Sequence, residues 1–144
     1  MERVASFRDT ARILVVDDEE ANLRLLKRIL ERDGYSKIRL TANGSEVRGI
    51  VEEFDPHLVL LDLHMPPPDG FTILRALAPR IAAPSLLTVL VLTADASPDA
   101  KRTALSIGTG AAGQSRVARM DNRVLSSFQE FPGWLAFGPR TPLD

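Results

Sequence analysis

The sequence predicts an α/β fold built on a doubly wound parallel sheet. Three observations lead there. Apolar runs of strand length recur at residues 12–16, 58–61 and 85–92, and each breaks off at a polar residue. These runs are continuous rather than alternating, the mark of strands covered on both faces. Amphipathic stretches of helical period fall between them, at an interval that suits βαβ units.

The elements follow in order. Arg12-Ile13-Leu14-Val15-Val16 is a buried strand that stops at Asp17-Asp18. Ala21 to Leu30 is a helix, with Leu25, Leu26, Ile29 and Leu30 at helical spacing, and Asp33-Gly34 closes it. Lys37 to Leu40 is a short strand. Asn43-Gly44-Ser45 is a turn, and Ser45 is a candidate cap for a helix running to Phe54, where Asp55-Pro56 breaks it. Leu58 to Leu61 is a strand ending at Asp62. The Pro66-Pro67-Pro68 run with Asp69-Gly70 makes a rigid loop. Phe71 to Leu77 is a third helix limited by Pro79, and Ser85 to Leu92 is a strand ending at Thr93. Ser97-Pro98-Asp99 opens a fourth helix reaching about Ile107.

Composition narrows the function classes. The chain has 144 residues, 44% of them apolar, and a formal net charge of −1, so no nucleic-acid or membrane surface is expected. It contains no cysteine, which excludes disulfides, thiolate metal sites and cysteine nucleophiles and suits a reducing cytoplasm. No run is long enough to span a bilayer, and Glu2, Arg3 and Arg8 have no apolar segment behind them, so residues 1–11 read as a polar arm rather than a signal peptide.

In a doubly wound sheet, ligands bind beyond the carboxyl ends of the strands, where strand order reverses. Asp17, Asp18 and Asp62 all stand at such ends. Three carboxylates there repel one another unless a cation neutralises them, and hard oxygen donors suit Mg²⁺. Helix capping before Ala21 is the competing reading for Asp17 and Asp18, and the pair alone leaves both open. The Thr93 hydroxyl could donate to a phosphoryl oxygen or satisfy local backbone. His57 and His64 stand near turns, and neither has a second histidine at ligand spacing. No Ser-His-Asp arrangement, Gly-rich phosphate loop or HExxH motif supports a hydrolase or nucleotide-binding reading.

Three segments together match a known pattern. Ile13-Leu14-Val15-Val16-Asp17-Asp18-Glu19-Glu20 resembles the opening of bacterial receiver domains of two-component response regulators. Leu58 to Pro66, followed by Asp69-Gly70, resembles their phosphoacceptor segment, and Val89 to Ala94 resembles their switch-threonine strand. The resemblance covers residues 12–108. It implies a flavodoxin-like receiver fold with Asp62 as phosphoacceptor and Thr93 as the switch hydroxyl. It also implies Mg²⁺ held by Asp18, Asp62 and the main-chain carbonyl of His64, with Asp17 acting partly through water. Such a domain is a non-enzymatic, cytoplasmic signalling switch. Its partners would be a sensor histidine kinase or phosphotransfer protein and a downstream protein.

One departure stands out. Receiver domains carry a Lys followed by Pro at the end of a fifth strand, whereas no Lys occurs here after Lys101. The stretch after Gly108 reads Thr109-Gly110-Ala111-Ala112-Gly113-Gln114-Ser115, then Arg116, Arg119 and Arg123, then Phe128, Phe131, Trp134 and Phe137 among prolines. Residues 109–144 are therefore expected to be a divergent tail, open to partial disorder, with the fifth strand and helix missing or altered. Divergence and a shifted reading frame both account for it, and the abruptness of the change favours the second. A sheet lacking its last strand exposes the 86–92 edge, which makes a homodimer an option. A degenerate receiver, acting as an interaction module without a working switch, is the alternative function. A Mg²⁺-dependent phosphohydrolase is weaker, for want of a second acid–base group.

Overall fold

The computed structural model describes residues 7–81, 87–92, 99, 102–103 and 135–137. A short helix α1 (Phe7–Thr10) leads into β1 (Arg12–Val16). Then come α2 (Glu20–Arg32), β2 (Lys37–Thr41), a 3₁₀ turn (Gly44–Glu46), α3 (Val47–Phe54), β3 (Leu58–Asp62), α4 (Gly70–Ile81), β4 (Thr88–Leu92) and β5 (Leu135–Phe137).

The sheet order is β2-β1-β3-β4-β5. The first four strands are parallel, as expected. Successive side chains of a strand point to opposite faces, so β1, β3 and β4 each feed two cores. Ile13, Val15, Leu58, Leu60 and Leu90 pack with Leu23, Leu26 and Leu30 of α2 on one face. Leu14, Val16, Val59, Leu61, Val89 and Val91 pack with Val47 and Val51 of α3 and Ile73, Leu74 and Leu77 of α4 on the other. Each of these buried leucines and valines contributes about 2 kcal/mol of apolar transfer energy. Helices on both faces make the sheet doubly wound.

The helix ends follow local chemistry. Gly34, at φ 100°, ends α2 in a left-handed turn, with Gly34 N–H donating to Glu31 O and Tyr35 N–H to Leu30 O, both at 3.0 Å. This is the arrangement that satisfies orphan carbonyls at a helix end. Asp55 ends α3 with φ 50°, directly before Pro56.

Three details differ from expectation. The turn before α3 is capped by Asn43, whose Oδ1 accepts from Ser45 N–H at 3.0 Å and from Ser45 Oγ at 2.7 Å. Ser45 is thus a donor to the cap rather than the cap itself. Pro79 lies inside α4, which continues to Ile81. A proline so close to the helix end removes one backbone hydrogen bond, and little helix remains beyond it to lose. The third difference is β5. It pairs antiparallel with β4 through Val89–Phe137, Leu90–Ala136 and Val91–Leu135, so the tail itself covers part of the edge expected to be bare. An unpaired edge presents N–H and C=O groups that any short extended segment can satisfy. Residues 85–86 of the 85–92 apolar run, and all of the expected fourth helix except Asp99, Arg102 and Thr103, lie outside the described residues.

Candidate metal and phosphoacceptor site

β2 flanks β1 on one side and β3 flanks it on the other, so the strand order reverses between β1 and β3. The chain leaves β1 at Asp17-Asp18 and ends β3 at Asp62, on the same edge. One carboxylate oxygen from each of Asp17, Asp18 and Asp62 lies within 4.8 Å of the others.

Asp17 is buried, Asp62 is half-buried and Asp18 is exposed. The Asp17 backbone is tied to the sheet by its N–H, which donates to Thr41 O at 3.2 Å. Its Oδ1 accepts from Glu19 N–H at 3.0 Å, and Asn22 adds a side-chain hydrogen bond. Thr41 is buried beside it and braces the next loop: its hydroxyl donates to Glu46 Oε2 at 3.0 Å and accepts from Asn43 N–H at 3.1 Å. Asp62 Oδ1 accepts from His64 N–H at 3.1 Å.

The capping alternative for the aspartate pair is not what the structure contains. Glu19 occupies the N-cap position of α2 without a side-chain capping bond. Asp17 receives the N–H of that N-cap residue, not one from the first helical turn. The carboxylates face one another across the strand ends instead.

Their electrostatics show the strain of this arrangement. Burial pushes the Asp62 carboxyl up to about 6, with the charges of Asp17 and Asp18 adding to it and the His64 N–H opposing it. Burial likewise raises Asp17, with Asp18 and Glu19 contributing, against the hydrogen bonds from Glu19 N–H and Asn22. Acid groups that resist ionisation side by side form a donor set matched to a small hard dication, which removes the repulsion and uses oxygen ligands only. The residues present fit Mg²⁺ on those grounds.

The loop after Asp62 is held by close packing. Gly70 N–H donates to Leu63 O at 3.1 Å. A Cβ on Gly70 would collide with Leu63 Cα and with the Asp62 carbonyl oxygen. Only glycine lets α4 start against the backbone of the acid it follows. Asp69 caps α4, its Oδ1 accepting from Thr72 N–H at 2.9 Å and Thr72 Oγ1 at 2.8 Å, and the Thr72 bonds hold its carboxyl below the usual range.

Among the other residues singled out, His57 is part of the sheet framework. Its Nδ1 accepts from Arg12 N–H at 3.0 Å, and its backbone joins β3 to β1 and β4. Burial, followed by Arg12, lowers its pKa. His64 is exposed next to the acids. Leu92 is registered opposite Asp62, but Thr93 and Lys101 lie outside the described residues. Arg102 is exposed and 3.6 Å from Asp99. Asn22, Thr41 and the capping role of Asp69 were not singled out from sequence. Asp69 had a signal, an aspartate three residues ahead of a threonine at a helix start. Thr41 meets Asp17 through the pairing of β1 with β2, and Asn22 through the turn from β1 into α2.

Comparison with known proteins agrees with this architecture. The family model for the response regulator receiver domain matches residues 13–112. The sensory/regulatory protein RpfC of Xanthomonas campestris is 40% identical over 102 residues, covering 69% of this chain and 14% of RpfC. The response regulator PleD of Caulobacter vibrioides is 37% identical over 90 residues, covering 62% of this chain and 20% of PleD. The chain thus spans a small part of the length of these relatives. The structure of the chemotaxis response regulator CheY4 of Vibrio cholerae superposes with a TM-score of 0.61 at 24% identity, over 83% of this chain and 96% of CheY4, a likeness of fold. Four parallel strands in this order, an aspartate cluster at their switch point and a family match over residues 13–112 converge on one statement: the chain belongs to the response regulator receiver domain family of two-component signal transduction.

Proposed function

We propose that this protein is a phosphoacceptor regulator of a two-component phosphorelay, taking a phosphoryl group on Asp62. The observation that carries the reading is the gathering of Asp17, Asp18 and Asp62 within 4.8 Å at the switch point. In the proposed reaction an Asp62 carboxylate oxygen bonds to phosphorus while the bond from phosphorus to the donor breaks. The donor is a phosphohistidine of a sensor kinase or phosphotransfer protein. The acids Asp18 and Asp62, with the His64 main-chain carbonyl, would hold Mg²⁺ directly, and Asp17 would act partly through water. Bound there, the ion would neutralise charge on the transferring group. The His64 N–H fixes one Asp62 oxygen, which leaves the other to attack. The Thr93 hydroxyl would then turn toward the phosphoryl oxygens, and a downstream protein would read the changed surface. A sensor kinase or phosphotransfer partner of this kind would place its action in the cytoplasm, and no helix among the described residues is long and apolar enough to cross a membrane.

A second reading has its own support. No Lys follows Lys101, and the strand beside β4 runs antiparallel, so no ammonium reaches the phosphoryl group from the family's usual position. On this reading the chain binds partners without switching. Incubation with a small phosphodonor and Mg²⁺, read by intact mass, separates the two. Gain of one phosphoryl group in the wild type and none in Asp62→Asn supports the first, and no gain in either refutes it.

A further inference from the structure

A groove of about 570 Å³ runs between α3 and α4, and none of its lining residues belongs to the carboxylate cluster. Its floor is apolar, made of Val47, Val51, Ile73 and Leu77, all buried beneath it. Its rim is cationic. Arg48, Arg75 and Arg80 line it, and Glu52 is the one acid among the lining residues. Glu52 Oε1 is shared between two of these cations, 3.8 Å from Arg48 Nε and 3.9 Å from Arg80 Nη2. One carboxylate cancels one charge, so the lining keeps an excess of two positive charges. Asp69, just outside the lining, also attracts Arg75 and offsets part of that excess, which still leaves the groove net positive. The chain as a whole carries −1, so this excess is local.

One end of the groove is narrow. A Cβ on Gly44 would stand 2.7 Å from Pro68 O and 2.9 Å from Ile73 Cδ1, so the 3₁₀ turn and the β3–α4 loop meet there. A compact molecule suits a groove pinched in this way better than a helix, which needs an open trough. Small-molecule sites typically measure roughly 300–1,000 Å³, with apolar walls and a few charged groups that fix orientation. Guanidinium groups pair with planar carboxylates and with phosphates through parallel N–H donors.

We propose that the α3–α4 groove binds a small amphiphilic anion, a carboxylate or phosphate monoester carried on a compact apolar body. The apolar body would lie over Val47, Val51, Ile73 and Leu77. The anionic head would meet Arg75 and Arg80 and loosen the contact between Arg80 and Glu52. This inference stands apart from phosphorylation of Asp62 and survives if that reading fails.

The test is a titration of the full chain with benzoate, naphthoate and phenyl phosphate, followed by amide shifts. The neutral naphthalenemethanol and inorganic phosphate serve as controls. At least one amphiphilic anion should shift the amides of residues 44–52 and 72–80 saturably. Both controls should bind at least roughly tenfold more weakly, since each lacks one half of the recognised chemistry. Arg75→Ala with Arg80→Ala should weaken the anion by a similar factor. Both side chains are at the surface, so the fold is retained. Ala76→Phe, at an exposed position in the groove wall, should block every probe without moving the amides of β1. The proposal is overturned if no anion in the panel saturates, if the neutral control binds as well as naphthoate, or if an acidic peptide binds where the whole panel does not.

Discussion

Replacing Asp62 by Asn should make the metal-free protein more stable at neutral pH, although it removes the residue on which the proposed function depends. The Asp62 carboxyl is raised from 3.8 to about 6, so the folded chain holds this proton more tightly than the unfolded chain does. Between those values the native state binds more protons, and stability falls as pH rises. The favourable contribution is complete below about pH 4 and is lost as pH rises through about 6. A shift of this size corresponds to about 3 kcal/mol, and partial exposure of the group to solvent reduces it to roughly 1–2 kcal/mol. Asp17, raised by the same burial, adds slope of the same sign. Asn is nearly isosteric and does not ionise. Urea unfolding of both proteins in chelator, from pH 4 to pH 8, should give matching midpoints at the acid end. The variant should be ahead by about 1–2 kcal/mol at pH 7. Mg²⁺ should narrow the gap by stabilising the wild type. A variant that is less stable than the wild type at pH 7 in chelator would refute the claim that burial, with the neighbouring carboxylates, disfavours the Asp62 charge.

Three further outcomes follow from the same geometry. Asp18→Ala should weaken Mg²⁺ binding by roughly tenfold or more, as measured by calorimetry, because it takes an oxygen out of the coordinating set. Equal affinity would place the ion elsewhere. Gly70→Ala should cost at least about 2 kcal/mol in denaturant unfolding, since its Cβ meets backbone atoms that cannot rotate away. It should also slow phosphorylation by shifting Asp62, and an unperturbed Gly70→Ala protein would contradict the packing of α4. Adding Mg²⁺ and a beryllofluoride-type phosphoryl mimic should move amides around Asp17, Asp18 and Asp62 but leave β4 and β5 almost unchanged, given the missing Lys. Large shifts through β4 would show that another cation has replaced it.

β1 and β3 were legible because each is apolar on both faces and stops at charged or polar residues, whereas β2 alternates charged and apolar residues. Val16 giving way to Asp17-Asp18, and Leu61 to Asp62, mark both the strand ends and the site. That the three acids meet required the parallel order, which the strand and helix alternation supplied. Asn43 and Ser45 are both good capping residues two positions apart, and only the backbone path decides which of them accepts. Pro79 was read as a stop because interior prolines break helices, but two residues from the end it costs little. Thr41 carries no signal in its own segment, since its contact with Asp17 exists only once β1 and β2 are paired, and the Asn22 bond to Asp17 depends on how the chain turns from β1 into α2. Leu135-Ala136-Phe137 has neither alternation nor β-branching, so nothing local announces a strand, and it forms where β4 offers an open edge.

The position of β5 in the chain bears on the order in which the sheet assembles. β4 and its antiparallel partner are separated in sequence by residues 93–134. Bringing together ends that far apart in sequence costs about 3 kcal/mol in chain entropy. In return it gains three registered residue pairs, each backbone hydrogen bond contributing about 1 kcal/mol net. The balance is close to zero, whereas β1 and β3 are locked between two helical layers. Thus β5 should dock last during folding and detach first. In native-state hydrogen exchange, the amides of Leu135–Phe137 should open through a low-energy fluctuation, while those of Leu14, Val15 and Leu60 exchange only with global unfolding. Equal protection across all five strands would mean that the tail folds as one cooperative unit with the sheet.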